Sequence, residues 1–417
     1  MRLLDTFNVL EEQGIIKSSL QANVKQNLSF HPRPYQIKAI TRFHYYINDY
    51  QNRPTPSHLF FHMATGSGKT LVMAANILQL YKKGYRKFVF VTNLKNTIDK
   101  TKENFLNNSL ENQKYLFADS ISINDQAIEI NEVDNFSRIS EADINIHFTS
   151  IQALQIKMQN PTEDGLSEDD FENNDVGIIW DESHHGNVQT QSVQAELGNF
   201  DNWESTVKQL LDLNPRNILI EFSATMDFEN SDIEMKYRNK RIYDYSLKQF
   251  RLDQYSKEIK ATQIKTEPLD RILIGILNSQ YKKKVFAYHD KLIKPVVLAK
   301  SRTIIDSANI QKEFLEYLET FNSSQLNVFR GYDNEFLSAA FSYFDSLGLS
   351  NEDLILEIKN DFTEKKMISI NTDNESDKNQ ILVNTLEQDN NPVRLVFAVD
   401  KLNEGWDVLN LFDIVRL

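Results

Sequence analysis

An α/β protein built on parallel sheets in two units is the fold class that three features of the sequence predict. Short apolar runs alternate with helical patterns through the first half of the chain, each run ends in a turn of small polar residues, and the alternation resumes after a pattern-poor stretch. Alternation of this kind implies a parallel sheet with helices on both faces.

The elements follow in order. His58-Leu59-Phe60-Phe61 is a short apolar run leading into a glycine-bearing turn, and the helical pattern KTLVMAANILQLYKK follows directly and stops before Gly84. Lys87–Thr92 reads as a strand and Thr97–Phe105 as a helix; Ile144–Phe148, Val176–Trp180 and Asn217–Glu221 read as three more buried strands. Polar turns at strand ends are where open α/β sheets place their ligands. From Arg241 to Asp290 the pattern weakens, with many Tyr, Lys and Gln residues. A second α/β unit starts with Pro295–Leu298 as a strand and Thr303–Thr320 as a helix, resumes at Val393–Val399 and ends on Phe412–Leu417. The expected domains are a first lobe over 1–240, a linker or insertion over 241–290, and a second lobe over 291–417 with a helical, polar insertion at about 322–389.

Bulk properties narrow the class. The chain has 417 residues, 41% apolar and 25% charged, the composition of a globular protein rather than a disordered one. No apolar run approaches the ~20 residues needed to span a bilayer, and the N-terminus MRLLDTFNVLEEQG lacks the uninterrupted apolar stretch of a signal peptide. Cysteine is absent, which removes disulfides, thiolate metal sites and cysteine nucleophiles. A cytoplasmic location is the default expectation, with no membrane partner. The net charge of −13 is unusual for a nucleic-acid protein, since phosphate backbones are bound through Lys and Arg. Acidic residues are concentrated, however: NPTEDGLSEDDFENND from Asn160 to Asp175 has no basic residue, and NTDNESDKNQ from Asn371 adds more. Such runs are solvated loops in most chains, so charge alone neither supports nor excludes a DNA partner.

Ala64-Thr65-Gly66-Ser67-Gly68-Lys69-Thr70 is the sharpest chemical signal. A strand, a glycine-bearing loop and a helix start, in that order, aim backbone N–H groups at one point where a phosphate can sit. Gly66 and Gly68 let the backbone approach without a Cβ in the way. Lys69 is placed to reach the β- and γ-phosphates of ATP, and the Thr70 hydroxyl to hold Mg²⁺. The general pattern has glycine five residues before Gly68, where this chain has Met63. A second signal lies downstream, where the apolar run Val176–Trp180 ends in Asp181-Glu182-Ser183-His184-His185. An acid at a neighbouring strand tip supplies the second protein contact to Mg²⁺, often through water, and assigns Asp181 to the metal. Glu182 is then placed to orient and deprotonate the attacking water. His184 and His185 lack other suitably spaced ligands, so no zinc site is expected.

These residues resemble the superfamily-two helicases and translocases. The match is closest to the DEAD/DEAH-type motor subunit of type III restriction enzymes, and it rests on ATGSGKT, DESHH and Ser223-Ala224-Thr225. The resemblance implies two RecA-like lobes of a P-loop NTPase that open and close a cleft on hydrolysis. Arg33-Pro34-Tyr35-Gln36 resembles the adenine-reading element, which would place Arg33 at the nucleotide and Gln36 on the base. Thr92-Asn93-Leu94 and Thr149-Ser150-Ile151-Gln152 resemble first-lobe elements that touch the nucleic-acid backbone, a task carrying no sequence information. By the same resemblance Lys300 and Ser301 would contact nucleic acid from the second lobe, while Ser223, Ala224 and Thr225, with His184, would couple the ATP site to the bound strand. Val399–Val408, with the run EGWDV, resembles the fifth family element and would bring Gly405 and Asp407 to the nucleotide.

The sixth element, an arginine-bearing helix, has no match before Leu417, which implies a piece of a longer motor that binds ATP better than it turns it over. Asp353 with Glu357-Ile358-Lys359 imitates a nuclease pattern but fits a solvated helix face. A nuclease would then lie beyond Leu417 or on a partner, and a nuclease or methyltransferase subunit is the partner class implied. The expected function is an ATP-dependent DNA translocase or helicase of a restriction or anti-phage system. An RNA helicase and a nucleotide-dependent switch that binds ATP without moving remain alternatives. No guanine-reading Asn-Lys-x-Asp element is present, which argues against a GTPase.

Overall fold

The structure, a computed structural model, describes residues 2–93, 95–107, 115–162, 164–183, 197–370, 379, 382–383, 385–399 and 408–417. It divides into two compact units, Met1–Ile259 and Lys260–Leu417.

In the first unit the strands are β1 (Ser57–Met63), β2 (Lys87–Thr92), β3 (Ile121–Ile123), β4 (Gln126–Ile128), β5 (Ile130–Glu132), β6 (Ile144–Ser150), β7 (Val176–Asp181), β8 (Ile218–Ser223) and β9 (Arg241–Tyr245). The helices are α1 (Leu3–Glu12), α2 (Ala22–Asn27), α3 (Pro34–Asn48), α4 (Lys69–Lys82), α5 (Lys95–Phe105), α6 (Ile151–Gln159), α7 (Glu168–Glu172), α8 (Leu197–Asp212), α9 (Ser231–Tyr237) and α10 (Leu247–Leu252). Seven strands form one sheet in the order β5-β6-β2-β7-β8-β1-β9, and every described pairing in it is parallel. Strands such as KFVFVT, VGIIWD and ILIEFS are almost wholly apolar because both faces of a parallel sheet are covered. Space under α4 is tight: a Cβ on Gly177 of β7 would lie 2.8 Å from the Phe88 ring on the neighbouring β2 and 3.4 Å from Leu80 of α4.

Two polar anchors tie helices to this sheet, one at its centre and one at its β9 edge. Asn217, buried just before β8, accepts from Val176 N at 3.0 Å and donates to the carbonyls of Phe171 and Leu210, each at 3.1 Å. Its amide thereby ties α7 and α8 to β7. Arg42 on α3 donates to Ile242 O at 3.1 Å and pairs with Glu11 of α1 at 2.6 Å, fastening the N-terminal helices to β9.

The second unit contains α11 (Pro268–Tyr288), β10 (Val296–Lys300), α12 (Ile304–Thr320), α13 (Ser323–Arg330), α14 (Glu335–Ser346), α15 (Asn351–Asp361), β11 (Met367–Ile370), β12 (Leu395–Ala398) and β13 (Leu411–Arg416). Its parallel sheet has the order β11-β12-β10-β13. No helix among the described residues is long and apolar enough to cross a membrane.

The stretch 241–290 is divided between the units. It contributes β9 and α10 to the first and all of α11 to the second. β9 (RIYDY) is the edge strand and carries Arg241 and Asp244, paired with each other at 3.0 Å, among its apolar residues, and α11 carries the apolar row Ile272, Leu273, Ile276 and Leu277 into the second core. Within 322–389 the chain is helical as expected through α13–α15, but β11 lies there too and joins the sheet. Asp353, Glu357 and Lys359 are on α15, Asp353 serving at its N-terminus to accept from the backbone N–H of Ser350. Residues of the acidic stretch at 371–378 lie outside the described residues.

Asp361 organises the second unit. It accepts from Lys283 at 2.5 Å and Gln280 at 2.9 Å on α11, and from Arg394 at 2.6 Å just before β12. Burial alone pushes its carboxyl up, but the Lys283 hydrogen bond, the Arg394 charge and the Gln280 amide outweigh it and hold the group at about 2 against the ordinary 3.8. A depressed carboxylate stabilises the fold above its unfolded value and loses that contribution as pH falls through its folded value. Asp361→Asn is therefore expected to destabilise the second unit by about 2 kcal/mol at pH 7, with the difference from wild type shrinking as pH drops from about 4 towards 2. Urea unfolding followed through amide exchange in α15 measures it.

Candidate functional site

β1 ends at Met63, and residues 64–68 turn the chain into α4. Gly66 and Gly68 adopt φ of +76° and +74°, the left-handed region where a side chain is strained. At Gly68 space forbids a side chain as well, since a Cβ would lie 2.5 Å from Gln36 Nε2. The loop closes on itself through Ser67 N to Ala64 O at 3.1 Å. Its outer carbonyls are held from α3: Tyr35 donates its hydroxyl to Ser67 O at 3.0 Å, and Gln36 Nε2 donates to the same oxygen at 2.8 Å. With its outer face tied down, the loop leaves the first turn of α4 to present N–H groups and the positive end of the helix. Ser67 Oγ is buried without a protein partner, as expected of a cradle that accepts a polar group.

Two strands away, β7 delivers Asp181 and Glu182. Asp181 is buried at the strand tip and accepts from Glu182 N at 3.0 Å. Glu182 has φ +52°, a conformation costing a non-glycine residue on the order of 1 kcal/mol. Neighbours on both sides hold it there: Asn93, after β2, donates to Glu182 O at 3.4 Å, and Ser183 N donates to Phe222 O of β8 at 3.2 Å. The result aims the carboxylate at the loop, and Lys69 Nζ lies 2.8 Å from Glu182 Oε1. Lys69 is buried and Glu182 partly so, which places the pair at the margin of solvent.

The remaining residues expected from sequence sort by position. Thr65 is exposed on the loop and Thr70 is half-buried in the first turn of α4. Thr92 and Ser150 face each other across the β2–β6 ladder, with Asn93 and Thr149 beside them and Gln152 in the first turn of α6. Thr92, Thr149 and Ser150 are buried, and Ser150 caps α6 by accepting from Ala153 N at 3.2 Å. Ser223 is buried at the tip of β8, Thr225 N reaches its hydroxyl at 3.4 Å, and Ala224 follows. In the second unit Lys300 ends β10, and Ser301 N donates to Ala398 O at 3.0 Å. Arg33 precedes α3, and its N–H donates to Gln36 Oε1 at 2.8 Å, so both ends of the Gln36 amide are engaged within the protein. His184, Gly405 and Asp407 lie outside the described residues.

Sequence reasoning passed over three residues that shape this edge. Tyr35 sits inside the RPYQ element and holds the loop through its hydroxyl. His62, on β1, meets Ala224 O through Nε2 at 3.2 Å and Asp244 through Nδ1 at 3.1 Å, linking the strand before the loop to the Ser-Ala-Thr turn. Phe250, on α10, comes within 4.0 Å of where a Gly66 Cβ would be. The tyrosine-rich composition of 241–255 was a signal for the last; nothing local marks His62.

Residues 29–228 match the family model described as Type III restriction enzyme, res subunit. The chain is 35% identical over 412 residues to the "Probable type III restriction-modification enzyme HindVIP Res subunit" of Haemophilus influenzae, across 88% of this chain and 78% of that relative. Among solved structures, the DUF1998 helicase MrfA bound to DNA and AMPPNP aligns over 96% of this chain and 46% of its own, with a TM-score of 0.51 and 12% identity, a likeness of fold alone. The architecture is thus that of a two-lobe, RecA-like helicase, and the chain belongs to the type III restriction enzyme res-subunit family.

Proposed function

We propose that this chain is the ATP-driven motor of a type III-like restriction or related anti-phage system, coupling hydrolysis to movement on DNA. The observation that carries the reading is the 2.8 Å approach of Lys69 to Glu182 at the tips of two strands of one parallel sheet. A lysine that contacts both a phosphate cradle and a carboxylate base marks the place of a terminal phosphate and its attacking water. The buried, unpartnered Ser67 hydroxyl and the absence of side chains at Gly66 and Gly68 fit a polyphosphate. Thr70 and Asp181 are the residues that would hold Mg²⁺, which neutralises charge on the transferring phosphoryl group.

In this reading Lys69 leaves Glu182 for the β- and γ-oxygens when ATP enters. Glu182 is then released to orient the water and take its proton. Thr92, Thr149 and Ser150 are buried at the ends of β2 and β6 and fix the backbone there, while the half-buried Asn93 and Gln152 that follow them are the polar side chains placed for phosphate-backbone contacts without base reading. Lys300 and Ser301 hold the corresponding strand end in the second unit. DNA is favoured as the track because the curated relative is named for restriction-modification, and a methyltransferase or nuclease subunit is the partner class that name suggests.

Lys69→Ala is expected to weaken ATP binding on the order of tenfold to a hundredfold. Glu182→Gln removes the competing carboxylate, so it is expected to tighten ATP binding while hydrolysis falls by at least about a hundredfold; calorimetry and steady-state phosphate release separate the two effects. Hydrolysis by the wild-type chain is expected to rise with duplex DNA and not with RNA, using Glu182→Gln as the blank. Stimulation by RNA alone would replace the track, and ATP affinity untouched by Lys69→Ala would remove the phosphate site.

A further inference from the structure

The base of the nucleotide needs a platform, and the segment after β9 builds one. Ser246 caps α10 by accepting from Gln249 N, and Tyr245 donates its hydroxyl to Asp253 at 2.7 Å. Gln254 then turns through the left-handed region at φ +62°, and Tyr255 N returns to Phe250 O at 3.1 Å. This fixed turn seats the Tyr255 ring edge-on to Tyr35, centroids 5.0 Å apart, and near-parallel to Phe250. Tyr35 itself is buried, stacked on Tyr245 at 4.2 Å, with its hydroxyl on the phosphate loop. Phe250 meets the same loop beside Gly66. Of these four rings Tyr255 alone keeps substantial exposure, 37%, and the Arg33 guanidinium lies over its face, 4.9 Å from the centroid, so that ring and guanidinium form one layered platform.

A flat phenol and a guanidinium, both open to solvent and one ring removed from a phosphate cradle, match a purine carrying a polyphosphate. Stacking on aromatic and guanidinium faces holds a base without using its edges. Gln36 holds the loop from the same side, its carbonyl accepting from Arg33 N and its amide donating to Ser67 O. We propose that Tyr255, with Arg33 over its ring, is the stacking platform for the base of the bound nucleotide, beside the phosphate loop that Gln36 holds in place. Recognition of the base then comes from the turn after the last strand of the first unit. This deepens the ATP-motor reading and rests on it.

The test compares binding of ATP and of inorganic tripolyphosphate to the full chain by calorimetry. Tyr255→Ala is expected to weaken ATP roughly tenfold and leave tripolyphosphate unchanged, while Tyr255→Phe retains ATP affinity. Lys69→Ala is expected to weaken both ligands. Wild-type ATP affinity in Tyr255→Ala, with Lys69→Ala impaired, would overturn the platform and leave the ATP reading standing. Equal weakening of both ligands by Tyr255→Ala would make Tyr255 a structural residue and overturn the platform too. Unchanged binding of both ligands to Lys69→Ala would sink the ATP reading and the platform with it.

Discussion

The contact between Lys69 and Glu182 depends on a constraint of topology. An all-parallel sheet sends every strand end to one edge, and the order β7-β8-β1 separates the two tips by a single strand. A lysine at the start of α4 can therefore reach past the end of β8 to a carboxylate after β7, at 2.8 Å. Had either strand run the other way, the two groups would lie at opposite edges. Everything else at this edge refines that arrangement: β2 and β8 hold Glu182 in its left-handed backbone through Asn93 and Phe222, and α3 holds the loop through Tyr35 and Gln36.

The loop shows how little freedom such a site has. Gly68 carries a positive φ and a steric limit at once, because Gln36 fills the space of its absent Cβ. Met63, standing where the general pattern has glycine, is buried at the end of β1 and needs no special conformation, so the cradle forms from Gly66 and Gly68 alone. Strain is concentrated at Glu182, whose backbone cost is met by bonds to two neighbouring strands. The backbone of the loop and of Glu182 is thus fixed within the protein, and only the Lys69 and Glu182 side chains are left to rearrange.

Much of the sheet was legible because burial on both faces writes itself as continuous apolar runs: KFVFVT and ILIEFS needed no tertiary information. The edge strand β9 was not, because Arg241 and Asp244, which pair with each other at 3.0 Å, interrupt its apolar residues. β11 escaped for a different reason, being four residues long inside a helical stretch. The candidate site residues were legible for as long as their spacing is local, as in ATGSGKT or at Asp181 and Glu182. Those that position them were not: Tyr243 donates to Tyr35 O, and His62 meets Ala224 and Asp244, across separations that leave no pattern in the chain.

The most direct measurement is a crystal structure with a non-hydrolysable ATP analogue and Mg²⁺, read at the Lys69 Nζ to Glu182 Oε1 distance. The account predicts that the pair separates, with Lys69 on the β- and γ-phosphate oxygens and Glu182 facing a water in line with the γ-phosphorus. Analogue bound elsewhere, with the ion pair still closed, would contradict it.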